Sequence, residues 1–132
     1  MGCRPGPAAA IVVGMAAKDE LGRRGEDVAV QYLEGQGLTV LARNWRCRHG
    51  ELDVIATDSA RLVVCEVKTR SGTRFGTGAE AVTGRKAQRI RRLARLWLAA
   101  HHLPWTEVRF DVCSVLIEPG AEPVLDHYAG AF

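Results

Sequence analysis

The sequence predicts an α/β fold, a mixed β-sheet flanked by helices, and three observations predict it. The chain has 132 residues, room for one compact domain. Its hydrophobic periodicity switches between helical and alternating patterns in the order α-β-β-β-α-β-β. Its composition, 47% hydrophobic and 25% charged, is that of an ordinary globular protein and excludes long disorder and collagen-like repeats. No apolar stretch reaches the ~20 residues that span a bilayer, so no membrane partner is expected.

Each element has its own signal. Residues 1–17 contain an apolar run from Ala8 to Val13 behind one arginine, too short and too weakly charged for a secretory leader. They are expected to form a disordered leader or an over-extended start ahead of Met15, leaving 18–132 as a single domain. From Lys18 to Glu34, Leu21, Gly25, Val28, Ala29, Tyr32 and Leu33 keep helical spacing, and Gly35 and Gly37 stop the helix. Leu38–Ala42 reads as a short strand that runs into a basic, exposed segment, Arg43–Gly50. Glu51–Thr57 and Arg61–Thr69 read as strands joined by a hairpin turn at Asp58-Ser59-Ala60. The glycine-rich stretch Arg70–Gly78 reads as a loop. Thr83 or Gly84 then opens a second helix to Ala100, with Ile90, Leu93, Ala94 and Trp97 on one stripe and basic residues on the others. Glu107–Ile117 and Val124–Tyr128 complete the strands.

Charge is unevenly spread. The net charge is +3, yet residues 43–95 hold thirteen basic and five acidic side chains. A positive face of that kind fits a polyanion, of which nucleic acid is the commonest; the alternative is an arginine-rich solvated helix. The four cysteines, Cys3, Cys47, Cys65 and Cys113, form no C-x-x-C pair, which argues against an all-cysteine zinc site. Free thiols in a cytoplasmic protein are the simplest reading.

The chemistry concentrates in the hairpin. A turn centred near Ser59-Ala60 places opposite one another residues whose numbers sum to about 119, and Asp53 and Glu66 do so. Directly opposed residues have Cβ atoms ~4.5–5.5 Å apart, close enough for two carboxylates to share a cation. Lys68 lies on the same face as Glu66, because strand side chains alternate. Two like charges within apolar strands are costly unless neutralised, either by a divalent ion or by Lys68 and a nearby arginine in a plain ion-pair cluster. Hard oxygen donors favour Mg²⁺ or Mn²⁺ over zinc.

Asp53, twelve intervening residues, then Glu66-Val67-Lys68 resembles the PD-(D/E)xK nuclease core. Gly25-Glu26, Arg43-Asn44-Trp45-Arg46, Gly50-Glu51-Leu52-Asp53, Glu66-Val67-Lys68-Thr69-Arg70, Phe75-Gly76, Lys86 with Arg89-Ile90, Arg109-Phe110-Asp111-Val112 and Ala131-Phe132 extend the likeness. As an ordered set they resemble the YraN-like family of small bacterial proteins, related to Holliday-junction resolvases. Leu52 stands where the nuclease core has proline.

The resemblance implies a restriction-endonuclease-like core and a metal-dependent nuclease acting on DNA, branched or otherwise structured. The alternative is a non-catalytic nucleic-acid-binding protein that keeps the nuclease fold. By position, Asp53 and Glu66 would hold the metal with the Val67 backbone carbonyl as a third protein ligand, and Lys68 would orient the attacking water. Glu26 would be the acid of the first helix, its other reading being an ordinary exposed glutamate. Glu51 shares a face with Asp53 and is an auxiliary ligand candidate. Arg46, Arg48, Arg70, Arg74, Lys86 and Arg89 would hold the phosphodiester backbone. Trp45 has two readings, a contact to sugar or base and a core residue. By analogy of fold, a homodimer is also expected.

Overall fold

The computed structural model describes residues 16–71, 83–103 and 107–132, with α1 side chains from Asp19 onward. The expected leader up to residue 15, Arg74 and the Phe75-Gly76 motif lie outside the described residues. Among those described, two helices and five strands follow one another as α1 (Ala16–Gly35), β1 (Thr39–Cys47), β2 (Gly50–Thr57), β3 (Leu62–Arg70), α2 (Gly84–Ala100), β4 (Val108–Leu116) and β5 (Val124–Tyr128). The strands form one mixed sheet in the order β1-β2-β3-β4-β5. All neighbours are antiparallel except β3 and β4, which run parallel because α2 lies between them in the chain. This α/β arrangement is consistent with a restriction-endonuclease-like core.

The helices cover opposite faces. Alternation along β3 sends Val64 toward α2, where it packs with Ile90, Leu93, Ala94 and Trp97. The next residue, Cys65, turns to α1 and packs with Ala29, Val30 and Leu33. The predicted stripe of α2 is buried as expected, and Thr83 caps the helix by accepting a hydrogen bond from the Lys86 amide at 3.2 Å. At the end of α1, Gly37 takes φ 94° and the Leu38 amide closes on the Leu33 carbonyl at 3.1 Å. The β2–β3 turn is also as predicted: Asp58 Oδ1 accepts from the amides of Ala60 and Arg61, both at 2.9 Å.

Two expectations need correction. The segment from Arg43 onward is exposed at its arginines, as expected, but as far as Cys47 it is the second half of β1, and Trp45 within it is buried. A bulge between Val40 and Ala42 shifts the register, and Trp45 then pairs with Leu52 and is only 6% exposed. Burying that indole holds the basic stretch in the sheet, while Arg43 and Arg46 stay exposed. Of the two roles open to Trp45, the structure gives it the core, leaving little surface for a sugar or base. The free-thiol reading holds for the buried Cys65 and Cys113. Cys47 is disulfide-bonded, against that reading.

No described helix is long and apolar enough to cross a membrane.

Candidate active site

The site forms where the sheet forks. Strands β2 and β3 pair over four residues only, from Thr57 with Leu62 to Val54 with Cys65. All four pairs keep the register expected from the sequence. Beyond them β2 stays with β1 as far as Gly50, while β3 stays with β4 as far as Arg70. Asp53 and Glu66 are the first residues past the last pair, and both line a cleft of about 290 Å³ with Gly50, Glu51, Lys86 and Arg89. The parting of the strands frees the Val67 amide, which donates to Asp53 Oδ2 at 2.9 Å. The contact that the structure gives Val67 is therefore through its N–H, whereas the resemblance implied its carbonyl.

Two glycines bring the helices this close. A Cβ at Gly25 would overlap the Thr69 side chain, so only glycine lets α1 lie against β3 there. Gly50 has φ 142°, and a Cβ on it would come within 3.1 Å of Leu93 in α2. The residue after Gly25 is Glu26, half-buried, with Oε1 3.9 Å from Arg43 and without a hydrogen-bond partner. Burial raises the Glu26 carboxyl above its ordinary range, against the Asn44 side chain and the Arg43 charge. The Glu26 charge also bears on Asp53, so α1 contributes to the same acidic group.

The electrostatics of the cleft are those of acids short of partners. Burial and then the Glu66 charge push the Asp53 carboxyl up to about 8 from its usual 3.8, against the Val67 amide. Burial also raises Glu66, although Lys86 and Lys68 both pull it down. Glu66 Oε1 has Lys86 Nζ at 3.7 Å, while Oε2 is buried with no partner. Lys68 is held below the ordinary lysine range by burial and then by the Lys86 charge. Glu51 instead points to Arg46 at 3.5 Å.

A hard divalent cation fits this donor set, with one condition. Among the described residues, no group of three or more His, Cys, Asp or Glu side chains could by itself hold a metal ion. Mg²⁺ does not need one: it commonly keeps several waters and takes one or two carboxylates plus substrate phosphates.

A sequence model of the family described as "Uncharacterised protein family UPF0102" matches residues 25–115. The chain belongs to the UPF0102 family. It is 53% identical over 124 residues to a UPF0102 protein of Nocardia farcinica, covering 94% of this chain and 98% of the relative. UPF0102 proteins of Frankia alni and Frankia casuarinae are 60% and 59% identical over 119 residues, 89% of this chain and 98% and 100% of theirs. This membership agrees with the YraN-like resemblance of the sequence motifs.

The part that matches the UPF0102 model runs from Gly25 to Val115 and so contains Glu26, Asp53, Glu66, Lys68, Lys86 and Arg89. Of the basic residues, Arg89 and the partly exposed Lys86 line the cleft and Arg46 pairs with Glu51 on it, while Arg48 is exposed in the β1–β2 turn. Arg70 ends β3, four residues beyond Glu66.

A second cluster was not foreseen from the sequence. Asp111, with no exposure to solvent, accepts from Arg109 at 2.8 and 2.7 Å, from the Gly130 amide at 3.0 Å, and pairs with His127 Nε2 at 2.7 Å. Tyr32 of α1 reaches His127 Nδ1 at 3.2 Å. The only signal was Arg109 and Asp111 two residues apart on one strand face.

Proposed function

We propose that this protein is a metal-dependent nuclease that hydrolyses phosphodiester bonds in DNA, branched or otherwise structured DNA above all. The observation that carries the reading is the pair of carboxylates at the fork, the partly buried Asp53 beside the buried Glu66, whose Oε2 has no partner. Buried charges normally have partners or hold a metal, and binding to phosphate alone would gain nothing from two converging acids.

In this reading Asp53 and Glu66 hold Mg²⁺ or Mn²⁺. Such an ion supplies charge stabilisation on phosphoryl oxygens and a hydroxide near neutral pH. Asp53 would hold the ion as a carboxylate, and the Val67 amide, 2.9 Å from Oδ2, fixes its orientation. Lys68, with its affinity for a proton reduced, is suited to orient the attacking water and to offset charge on the reacting phosphate. Glu26 supports the same charge group from α1. Arg46, Arg48, Lys86 and Arg89 hold the backbone on the rim of the cleft. Contacts of that type carry no base readout, hence the preference for shape over sequence.

Cleavage of labelled linear, flap and four-way-junction DNA tests the reading, with Mg²⁺, Mn²⁺ or EDTA. Asp53→Ala, Glu66→Ala and Lys68→Ala are each expected to lower the rate by at least ~10²-fold, and EDTA to abolish it. Cleavage that survives all three substitutions would remove the site. A wild type that binds DNA without ever cutting it, with Asp53→Ala binding more tightly, would establish the non-catalytic binding protein instead.

A further inference from the structure

Lys86 occupies an unusual place in the cleft. It is the third residue of α2, whose first turn contains no acid. A cation there opposes the helix dipole, so the helix itself gains nothing from it. Its backbone is fixed by the Thr83 cap, while its ammonium reaches Glu66 Oε1 at 3.7 Å. The Glu66 side chain is 8% exposed and that of Lys86 34%, so one partner is buried and the other has a way out. The Lys86 charge also lowers Lys68, which places two ammonium groups near one another. Such a pair is tolerable beside a carboxylate and is opposed once a divalent cation adds its own charge.

We infer that Lys86 is a positioning residue, the displaceable counter-cation of Glu66. It neutralises the buried carboxylate while the site holds no divalent ion, competes with that ion for the same oxygen, and is released by it toward a phosphate of the bound strand. The inference rests on the metal-dependent reading above. It makes metal entry and phosphate capture one coupled event, with Lys86 changing partner between them. Arg89, one turn further along α2, lines the same cleft but forms no ion pair with Glu66, and so serves as the comparison.

The test is calorimetric titration of the full-length protein with Mn²⁺ in the absence of DNA, a readout independent of cleavage. Lys86→Met is expected to bind Mn²⁺ about tenfold more tightly than wild type, within the usual range of such couplings. Lys86→Arg, which keeps the charge, and Arg89→Met are expected to stay within about twofold of wild type. Lys86→Gln carries the same expectation as Lys86→Met should the latter melt early. Unchanged affinity in Lys86→Met and Lys86→Gln, with wild type binding Mn²⁺, would overturn the counter-cation role and leave the nuclease reading standing. Equal tightening in Arg89→Met would reduce the effect to general charge and overturn it too. No Mn²⁺ binding in wild type or in any of the three Lys86 variants would sink both ideas.

Discussion

Asp53 and Asp111 lie two strands apart in one sheet, and the protein treats them in opposite ways. Burial would raise both. At Asp111 the hydrogen bonds from Arg109, the Gly130 amide and His127 outweigh it, and the carboxyl sits below its ordinary range. At Asp53 the Val67 amide and the nearby Lys68 charge do not outweigh burial and the Glu66 charge, and the carboxyl rises to about 8. The two clusters show that burial alone does not decide which way a carboxyl shifts; the hydrogen bonds and charges around it do. A fully satisfied carboxylate rigidifies the fold, here joining β4 to β5, the C-terminal turn and α1 through His127 and Tyr32. An under-satisfied one stores unfavourable energy that a cation can relieve.

The contrast should be broken most visibly by Asp111→Ala. Removing that carboxylate leaves Arg109, His127 and the Gly130 amide without their acceptor, and urea denaturation should show a loss of about 3–5 kcal/mol. A loss below ~1 kcal/mol would mean that the cluster contributes little to stability.

Asp53→Asn should go the other way in metal-free buffer. Between pH ~4 and ~8 the unfolded chain has released the Asp53 proton that the native state keeps. The unfolded state then binds fewer protons, so wild-type stability falls as pH rises through this window and levels off above it. Raised Glu66 adds to the same trend. Asparagine removes the Asp53 part, so the slope should flatten and the variant should be more stable near pH 8, by about 1–3 kcal/mol. Asp111 behaves inversely: its contribution is present above the unfolded value of 3.8 and disappears as pH falls through the lower native one. A wild-type profile that rises from pH 5 to 8 would contradict the assignment of Asp53.

The smallest expected effect lies at the rim. Arg89→Ala should weaken DNA binding about equally for all sequences and reduce the salt dependence of log K by about one unit of slope, measured by anisotropy at several salt concentrations. An unchanged slope would take α2 out of the contact surface.

Much of this was legible in the residues. The β-rich runs Glu51–Thr57 and Arg61–Thr69, with a turn of Asp58-Ser59-Ala60 between them, fix a register that carries Asp53 and Glu66 to the same end of the hairpin, because the turn sets which residues oppose one another. The helical stripe Ile90, Leu93, Ala94 and Trp97 was readable for the same reason, a local period. Trp45 was not. Its neighbours are arginines, and only the packing of α2 over β1 and β2 shows that the indole is inside. The Lys86–Glu66 contact, the approach of Glu26 through Gly25, and the Asp111–His127 pair likewise join residues far apart in the chain.

The sequence by itself determined the order of elements, the family and the hairpin register that carries two acids to the same end of the β2–β3 pair, since each depends on spacing along a few neighbouring residues. The tertiary structure alone decided that β2 and β3 part at Val54 and Cys65, and which acids find partners once buried. Partnership depends on helices packing across the sheet, and no local period encodes that distance.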